Sequence, residues 1–80
     1  MREIYLEGKE LVGEFHQYLK KALDLPDYYG CNLDALYDCL TDIGQESRIY
    51  IKGSQLVGQE LLAVFREAAQ ENEYLLLELR

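Results

Sequence analysis

Short runs of β-forming residues alternate with longer helical stripes along this chain. Residues 2–7 are rich in β-formers and are closed by Gly8, which predicts a strand. Between residues 11 and 24, apolar side chains recur at intervals of three and four, which predicts a helix. Pro26 stops this helix because its ring removes a backbone hydrogen-bond donor. The apolar stripe of this first predicted helix consists of Leu11, Phe15, Tyr18, Leu19, Ala22 and Leu23.

A second helix is predicted over about residues 33–43. Asn32 is a favourable N-cap because its side chain can accept a hydrogen bond from the first turn, and Gly44 is suited to end the helix. The core side of this helix would carry Leu33, Leu36, Tyr37 and Leu40.

The remainder of the pattern predicts two strands around a third helix. Residues 48–52 form a β-rich run that Gly53 closes, and Ser54 can cap the helix that follows. Residues 74–79 are continuous enough in apolar character to predict a strand buried on both faces. The apolar side of the third helix consists of Val57, Leu61, Leu62, Phe65, Ala68 and Ala69.

Strands separated by helices imply parallel pairing through right-handed crossovers. The sequence therefore predicts an α/β fold, with a three-stranded parallel sheet packed with about three helices, as one domain over residues 1–80. A chain of 80 residues buries only about 60 to 65% of the surface that its unfolded form exposes, so we expect modest stability.

Charge is distributed unevenly, because the segment between Lys21 and Arg48 holds six carboxylates and no basic residue. Asp34, Asp38 and Asp42 follow each other at intervals of four and share one face of the second predicted helix. Asp34 lies near the positive end of the helix dipole, but the other two do not. Each like-charge pair at this spacing costs about 0.2 to 0.5 kcal/mol. With two tyrosines directly before this helix, the pattern favours a binding surface for a cationic partner.

The net charge of −7 argues against nucleic acid or an anionic membrane as a direct ligand, since both would repel the chain. A basic protein is the more natural partner. The first fifteen residues hold no apolar signal region, and no apolar run reaches the length of a bilayer span, so we expect a cytoplasmic protein.

Metal and cofactor chemistry finds little support in the sequence. Cys31 and Cys39, with His16 as the single histidine, do not supply a four-ligand zinc set. Cys31 precedes the second predicted helix and Cys39 lies within it, eight residues later, which exceeds the reach of a disulfide. Both cysteines are therefore predicted to be reduced, with Cys39 acting as a small apolar residue. The acids lack the calcium-loop spacing, and no glycine loop could hold a phosphate, so we predict neither a cofactor nor an enzyme.

Two segments carry a resemblance to a known family. FHQYLKKALDLPDYYG, residues 15–30, and NLDALYDCLT, residues 32–41, resemble barstars, the intracellular inhibitors of barnase-type ribonucleases. The motif VFREA, residues 64–68, extends this resemblance toward the end of the chain. The resemblance implies a 1:1 complex in which a helix and its preceding loop block the active site of a small, basic, secreted ribonuclease.

The resemblance also assigns roles to individual residues. Tyr28 would pack near the catalytic histidine of the enzyme, and Gly30 and Asn32 would shape the loop. Asp34 and Asp38 would pair with basic groups, with Asp38 at the position of a substrate phosphate. The full predicted partner-binding set is Tyr28, Gly30, Asn32, Leu33, Asp34, Tyr37, Asp38, Asp42 and Glu67.

Several departures from the family pattern leave alternatives open. Tyr37 stands where barstars have tryptophan, Cys31 where they have an acid, and Asp42 where they have glycine. The chain between Gly53 and Leu61 is also shorter than in barstars, which predicts the loss of a short helix there and a different position for Glu67. One alternative is an acidic module that binds a basic toxin without ribonuclease activity; another is an acidic face that serves solubility alone.

Overall fold

The computed structural model describes residues 1–80 and contains the predicted three parallel strands and three helices. The strands are β1 (Arg2–Glu7), β2 (Ser47–Lys52) and β3 (Leu75–Leu79). The helices are α1 (His16–Ala22), α2 (Leu33–Thr41) and α3 (Gln59–Glu71). Two 3-10 turns, Gly8–Leu11 and Ser54–Leu56, follow β1 and β2. The prediction of an α/β fold is confirmed.

The sheet has the order β1-β2-β3, and both pairs of neighbours are parallel. Because each strand lies beside the one before it, right-handed crossovers carry all three helices to one face of the sheet. Burial agrees with this arrangement, since Leu6 and Ile51 are fully buried while Tyr5 and Leu76, which point to the other side, are exposed.

The core lies between the sheet and the helices. It consists of one cluster of 16 buried residues, to which every helix contributes side chains from its predicted apolar stripe. Leu19 comes from α1, Leu36 and Leu40 from α2, and Phe65 from α3, and all four are fully buried. Leu33 and Tyr37, which were predicted on the core side of α2, are half-buried and pack against this cluster.

The other face of the sheet is covered by its own side chains. We call this surface the outer sheet face; it consists of Glu3, Tyr5, Arg48, Tyr50, Leu76, Glu78 and Arg80. Tyr5 stacks on Tyr50 with ring centroids 4.5 Å apart, and the Arg80 guanidinium lies 4.5 Å from the centroid of the Tyr50 ring. The Tyr50 hydroxyl donates to Glu3 (2.9 Å) and accepts from Arg48 (3.3 Å). Tyr50 is only 5% exposed as a result.

The predicted starts of two helices were wrong. α1 begins at His16 instead of residue 11, because Gly13 adopts a left-handed conformation (φ 76°) that breaks the helix. Leu11 still reaches the core from the preceding 3-10 turn. Ser54 does not cap α3, which begins at Gln59 after Gly58; its hydroxyl instead donates to the carbonyl of Arg80 (3.0 Å).

The predicted burial of the last strand on both faces was also wrong. β3 lies at the edge of the sheet and alternates, so that Leu75 is 3% exposed and Leu76 is 45% exposed. The reason is that no helix covers the outer sheet face.

The segment between β2 and α3, where the sequence predicts the loss of a short helix, contains only the short 3-10 turn Ser54–Leu56.

Candidate functional site

Asn32 connects the start of α2 to the loop that precedes it. Its backbone is extended (φ −140°, ψ 168°), and its side-chain oxygen accepts a hydrogen bond from the amide of Ala35 (2.7 Å), which makes it the predicted N-cap. Its side-chain nitrogen lies 3.3 Å from the carbonyl oxygen of Gly30, to which it donates. A Cβ at Gly30 would lie 3.3 Å from that nitrogen, so the loop is closely fitted to the cap.

The three aspartates of the predicted binding face are exposed and have no partner within the chain. Asp34 lies in the first turn of α2, Asp38 lies mid-helix, and Asp42 is the C-cap. The two ion pairs of the chain join Lys20 to Asp27 and Arg80 to Glu78, and the last turn of α2 holds no basic residue. Because α2 carries no basic residue, the negative charge of these aspartates is not neutralised within the helix.

The charges of two of these aspartates affect the thiol of Cys39, which lies on the same helix. Burial, together with the negative charges of Asp38 and Asp42, raises the pKa of the Cys39 thiol. Cys39 is half-buried and packs against the core, so it acts as a small apolar residue with an un-ionised thiol. Both cysteines are free, and Cys31 is exposed in the loop before α2.

An open groove of about 620 Å³ lies between the loop that precedes α2 and the carboxyl-terminal half of that helix. Asp24, Tyr28, Asp38 and Asp42 line it, and we call it the acidic groove. Arg2, at the start of β1, also lines it, and its Nε atom is buried without a hydrogen-bond partner. Three carboxylates against one guanidinium leave the groove suited to a cationic group.

Two adjacent tyrosines in this loop have opposite environments. Tyr28 is 87% exposed at the acidic groove, whereas Tyr29 is 6% exposed and belongs to the core cluster. Burial, with smaller contributions from the Cys31 and Cys39 thiols, raises the pKa of Tyr29 to about 12. Cys31 follows with a left-handed backbone (φ 53°), an uncommon conformation for a residue other than glycine.

The predicted binding residues do not all meet at the acidic groove. The structure brings Tyr28, Asp38 and Asp42 together there. Leu33 instead lines a separate, more apolar groove of about 640 Å³ with Leu11 and Leu61. Tyr37 is half-buried on α2. Glu67 is exposed on α3, which packs against α2.

Sequence reasoning missed two groove residues. The sequence predicts only that Arg2 belongs to a strand, because its position beside α2 depends on the packing of β1 against that helix. Asp24 is one of the six carboxylates of the acidic segment, but no local signal in the sequence predicts that it lines a groove with Asp38. The structure contains no cluster of three or more potential metal ligands, and none of its helices has the length and apolar character that crossing a bilayer requires.

Comparison with known proteins identifies the family of this chain. A family model described as Barstar (barnase inhibitor) matches residues 1–77. A protein of Bacillus subtilis (strain 168), named "Putative ribonuclease inhibitor YrdF", is 54% identical over 43 residues. That match covers 51% of this chain and 47% of the relative, so it spans about half the length of each. Because the family model matches nearly all of the 80 residues of this chain, the chain belongs to the Barstar family.

Proposed function

We propose that this protein inhibits a barnase-type ribonuclease in a 1:1 complex by placing α2 and residues 28–32 in the active site of the enzyme. The observation that carries the proposal is the set of three aspartates on α2 that share one face and have no partner in the chain. Membership of the Barstar family and the name of the Bacillus relative support the same role. In this proposal the protein is a non-catalytic inhibitor that acts in the cytoplasm of the cell that makes it.

A carboxylate can occupy a site that was built for phosphate. Ribonucleases bind the RNA backbone through basic side chains, and an arginine guanidinium donates paired hydrogen bonds to carboxylate or phosphate oxygens with the same geometry. Asp38 lies in the acidic groove beside the exposed ring of Tyr28, so a basic side chain of the enzyme would meet charge and an aromatic surface together. Asp38 then takes the place of a substrate phosphate, and Tyr28 packs near the catalytic histidine.

The two groove aspartates of α2 would contribute differently to binding. A carboxylate that loses its water in the complex chiefly sets the dissociation rate, whereas one that stays at the rim chiefly speeds the encounter. We assign the first role to Asp38 and the second to Asp42, together with Glu46. The barnase–barstar pair is itself one of the systems from which this general division was established.

The test is a titration of the protein into barnase, with RNA cleavage followed at low and moderate salt. We expect stoichiometric inhibition that weakens with salt and is lost in Asp38→Ala. Glu10→Gln is the matched control, because it removes one exposed carboxylate from the turn after β1, away from the acidic groove. Equal effects of the two substitutions would show that only net charge matters and would contradict the proposed binding site.

A second candidate function is the binding of a basic toxin that does not cleave RNA. Asp42 favours it, because this residue lines the acidic groove where the resemblance places glycine. A groove with an additional carboxylate suits a partner with more positive charge at that point. If barnase is not inhibited, a basic protein that binds wild type but not Asp42→Asn, and that has no ribonuclease activity, would establish this alternative.

A further inference from the structure

Tyr29 anchors the loop that presents Tyr28. Its ring is buried in the core cluster, and its amide donates to the carbonyl of Pro26 (3.0 Å) within the loop itself. The ring of Tyr28, one residue earlier, is 87% exposed. Neither its hydroxyl nor its ring takes part in a hydrogen bond or an aromatic pair, so its orientation depends on the backbone that Tyr29 holds.

His16 is the residue that fixes the hydroxyl end of Tyr29. The Nδ1 atom of His16 lies 2.6 Å from the Tyr29 hydroxyl, and the two rings are tilted by 55° with centroids 5.7 Å apart. Burial raises the pKa of Tyr29 to about 12, so its hydroxyl is protonated and can donate to Nδ1 of His16 in the tautomer in which that nitrogen carries no proton.

The imidazole itself is held on the scaffold side of this contact. His16 is the first residue of α1, and its ring packs against Phe15 with centroids 4.5 Å apart. Phe15 in turn packs on the core cluster. The hydrogen bond therefore connects the loop before α2 to α1, across 13 positions of sequence.

We propose that His16 is a positioning residue for partner binding, which acts through the hydroxyl of Tyr29 to hold the backbone of residues 28–30 and thereby the exposed ring of Tyr28. This inference rests on the proposed function, because it concerns the same loop. An exposed ring that must be ordered during binding costs conformational entropy, and a loop that is held in advance reduces that cost. The hydrogen bond from Tyr29 to His16 is suited to hold this loop, because a peptide bond joins Tyr29 directly to Tyr28.

The experiment measures dissociation from barnase for Tyr29→Phe, which removes only the hydroxyl and leaves the ring in the core. We expect the dissociation rate to rise roughly two- to tenfold, the range that the loss of one hydrogen bond produces. His16→Leu should act in the same way. His16→Asn should recover part of the loss, because the side-chain oxygen of asparagine is as many bonds from the backbone as Nδ1 is.

A double-mutant cycle separates positioning from general stabilisation. In a Tyr28→Ala background, Tyr29→Phe should have no further effect on the dissociation rate, because the ring that it positions is gone. In a Glu67→Gln background, on a different helix, the full effect should remain. A lower thermal unfolding temperature of Tyr29→Phe with an unchanged dissociation rate would overturn the proposal. The proposal would also be overturned if Tyr29→Phe raised the dissociation rate as much in the Tyr28→Ala background as in wild type.

A second measurement does not depend on the partner. Amide order parameters of the free protein should fall for residues 28–30 in Tyr29→Phe and stay unchanged within α2. If wild type does not inhibit barnase, the proposed function fails, and this measurement alone decides whether His16 holds the loop. Unchanged order parameters at residues 28–30 would overturn the positioning role.

Discussion

On the outer sheet face, Glu3 and Glu78 each have a donor within the chain, whereas the three aspartates of α2 have none. Glu3 accepts from the Tyr50 hydroxyl (2.9 Å), and Glu78 pairs with Arg80 (2.8 Å). The same chain thus gives two carboxylates of the outer sheet face a hydrogen-bond donor and leaves the three aspartates of α2 without one. The carboxylates of Glu3 and Glu78 therefore take part in contacts that support the fold, whereas those of the α2 aspartates are free to pair with another molecule.

The two surfaces also differ in how their aromatic rings are held. Tyr50 is covered by Tyr5 and Arg80 and is 5% exposed, while Tyr28 is 87% exposed beside the acidic groove. Parallel sheets are usually covered by helices on both faces. Here the stacked side chains take that role on the uncovered face. The contrast supports a stabilising role for the outer sheet face and the proposed binding role of the α2 face.

The largest effect should come from Asp38→Ala on the complex with barnase. Truncation of one member of a desolvated charge pair costs about 2 to 5 kcal/mol, which is roughly 30-fold to several thousand-fold in the dissociation rate. Stopped-flow or surface-based kinetics would measure it. Free energies of unfolding from urea titration should show no comparable loss, and a matching loss there would place Asp38 with the residues that support the fold.

Tyr50→Phe tests the opposite side of the comparison. This change removes the hydroxyl that donates to Glu3 and accepts from Arg48 while it keeps the stacked ring. We expect the free energy of unfolding to fall by about 1 kcal/mol, measured by urea titration, because the loss of a partly buried hydrogen bond has this size. The rate constants for barnase should not change. A faster dissociation would mean that the outer sheet face takes part in binding.

Asp42→Asn should have a smaller effect, confined to the encounter with the partner. Loss of one rim charge weakens long-range attraction, so the association rate constant should fall a few-fold and depend less on salt. The dissociation rate should stay close to that of wild type. Measurement of both rate constants across a salt series distinguishes this role from that of Asp38, and an equal rise in dissociation for both variants would remove the distinction.

Local signals explain why α2 was predicted so closely and α1 was not. The Asn32 cap and the leucine spacing of α2 lie within ten residues of each other, and the structure contains both. The start of α1 depends on the left-handed conformation of Gly13, which a glycine permits but does not require.

Contacts between distant segments account for the rest of what the sequence did not reveal. The exposure of Leu76 depends on which face of the sheet the helices cover. The position of Arg2 in the acidic groove and the bond from Tyr50 to Glu3, 47 positions away, both require the parallel order of the strands. The predicted acidic face was local to one helix, but the groove that contains Asp38 is formed by three separate parts of the chain: Arg2, residues 23–28 and residues 38–45.

The smallest expected effect concerns the free protein. Asp38 lies four positions from both Asp34 and Asp42, and each like-charge pair at that spacing costs about 0.2 to 0.5 kcal/mol. Asp38→Asn removes the charge with little change in shape or helix propensity, so the free energy of unfolding should rise by up to about 1 kcal/mol at low salt. Urea titrations with and without added salt would measure this gain and its screening.

Asp34→Asn is the matched control for this gain, because it relieves the same kind of repulsion but also loses a favourable interaction with the amino-terminal end of the helix dipole. It should therefore stabilise the protein less than Asp38→Asn does. If Asp38→Asn instead lowers the free energy of unfolding, the mid-helix carboxylate supports the fold as Glu3 does. The contrast between a paired sheet face and an unpaired helix face would then no longer hold, since the charge on α2 would be stabilising even without a partner.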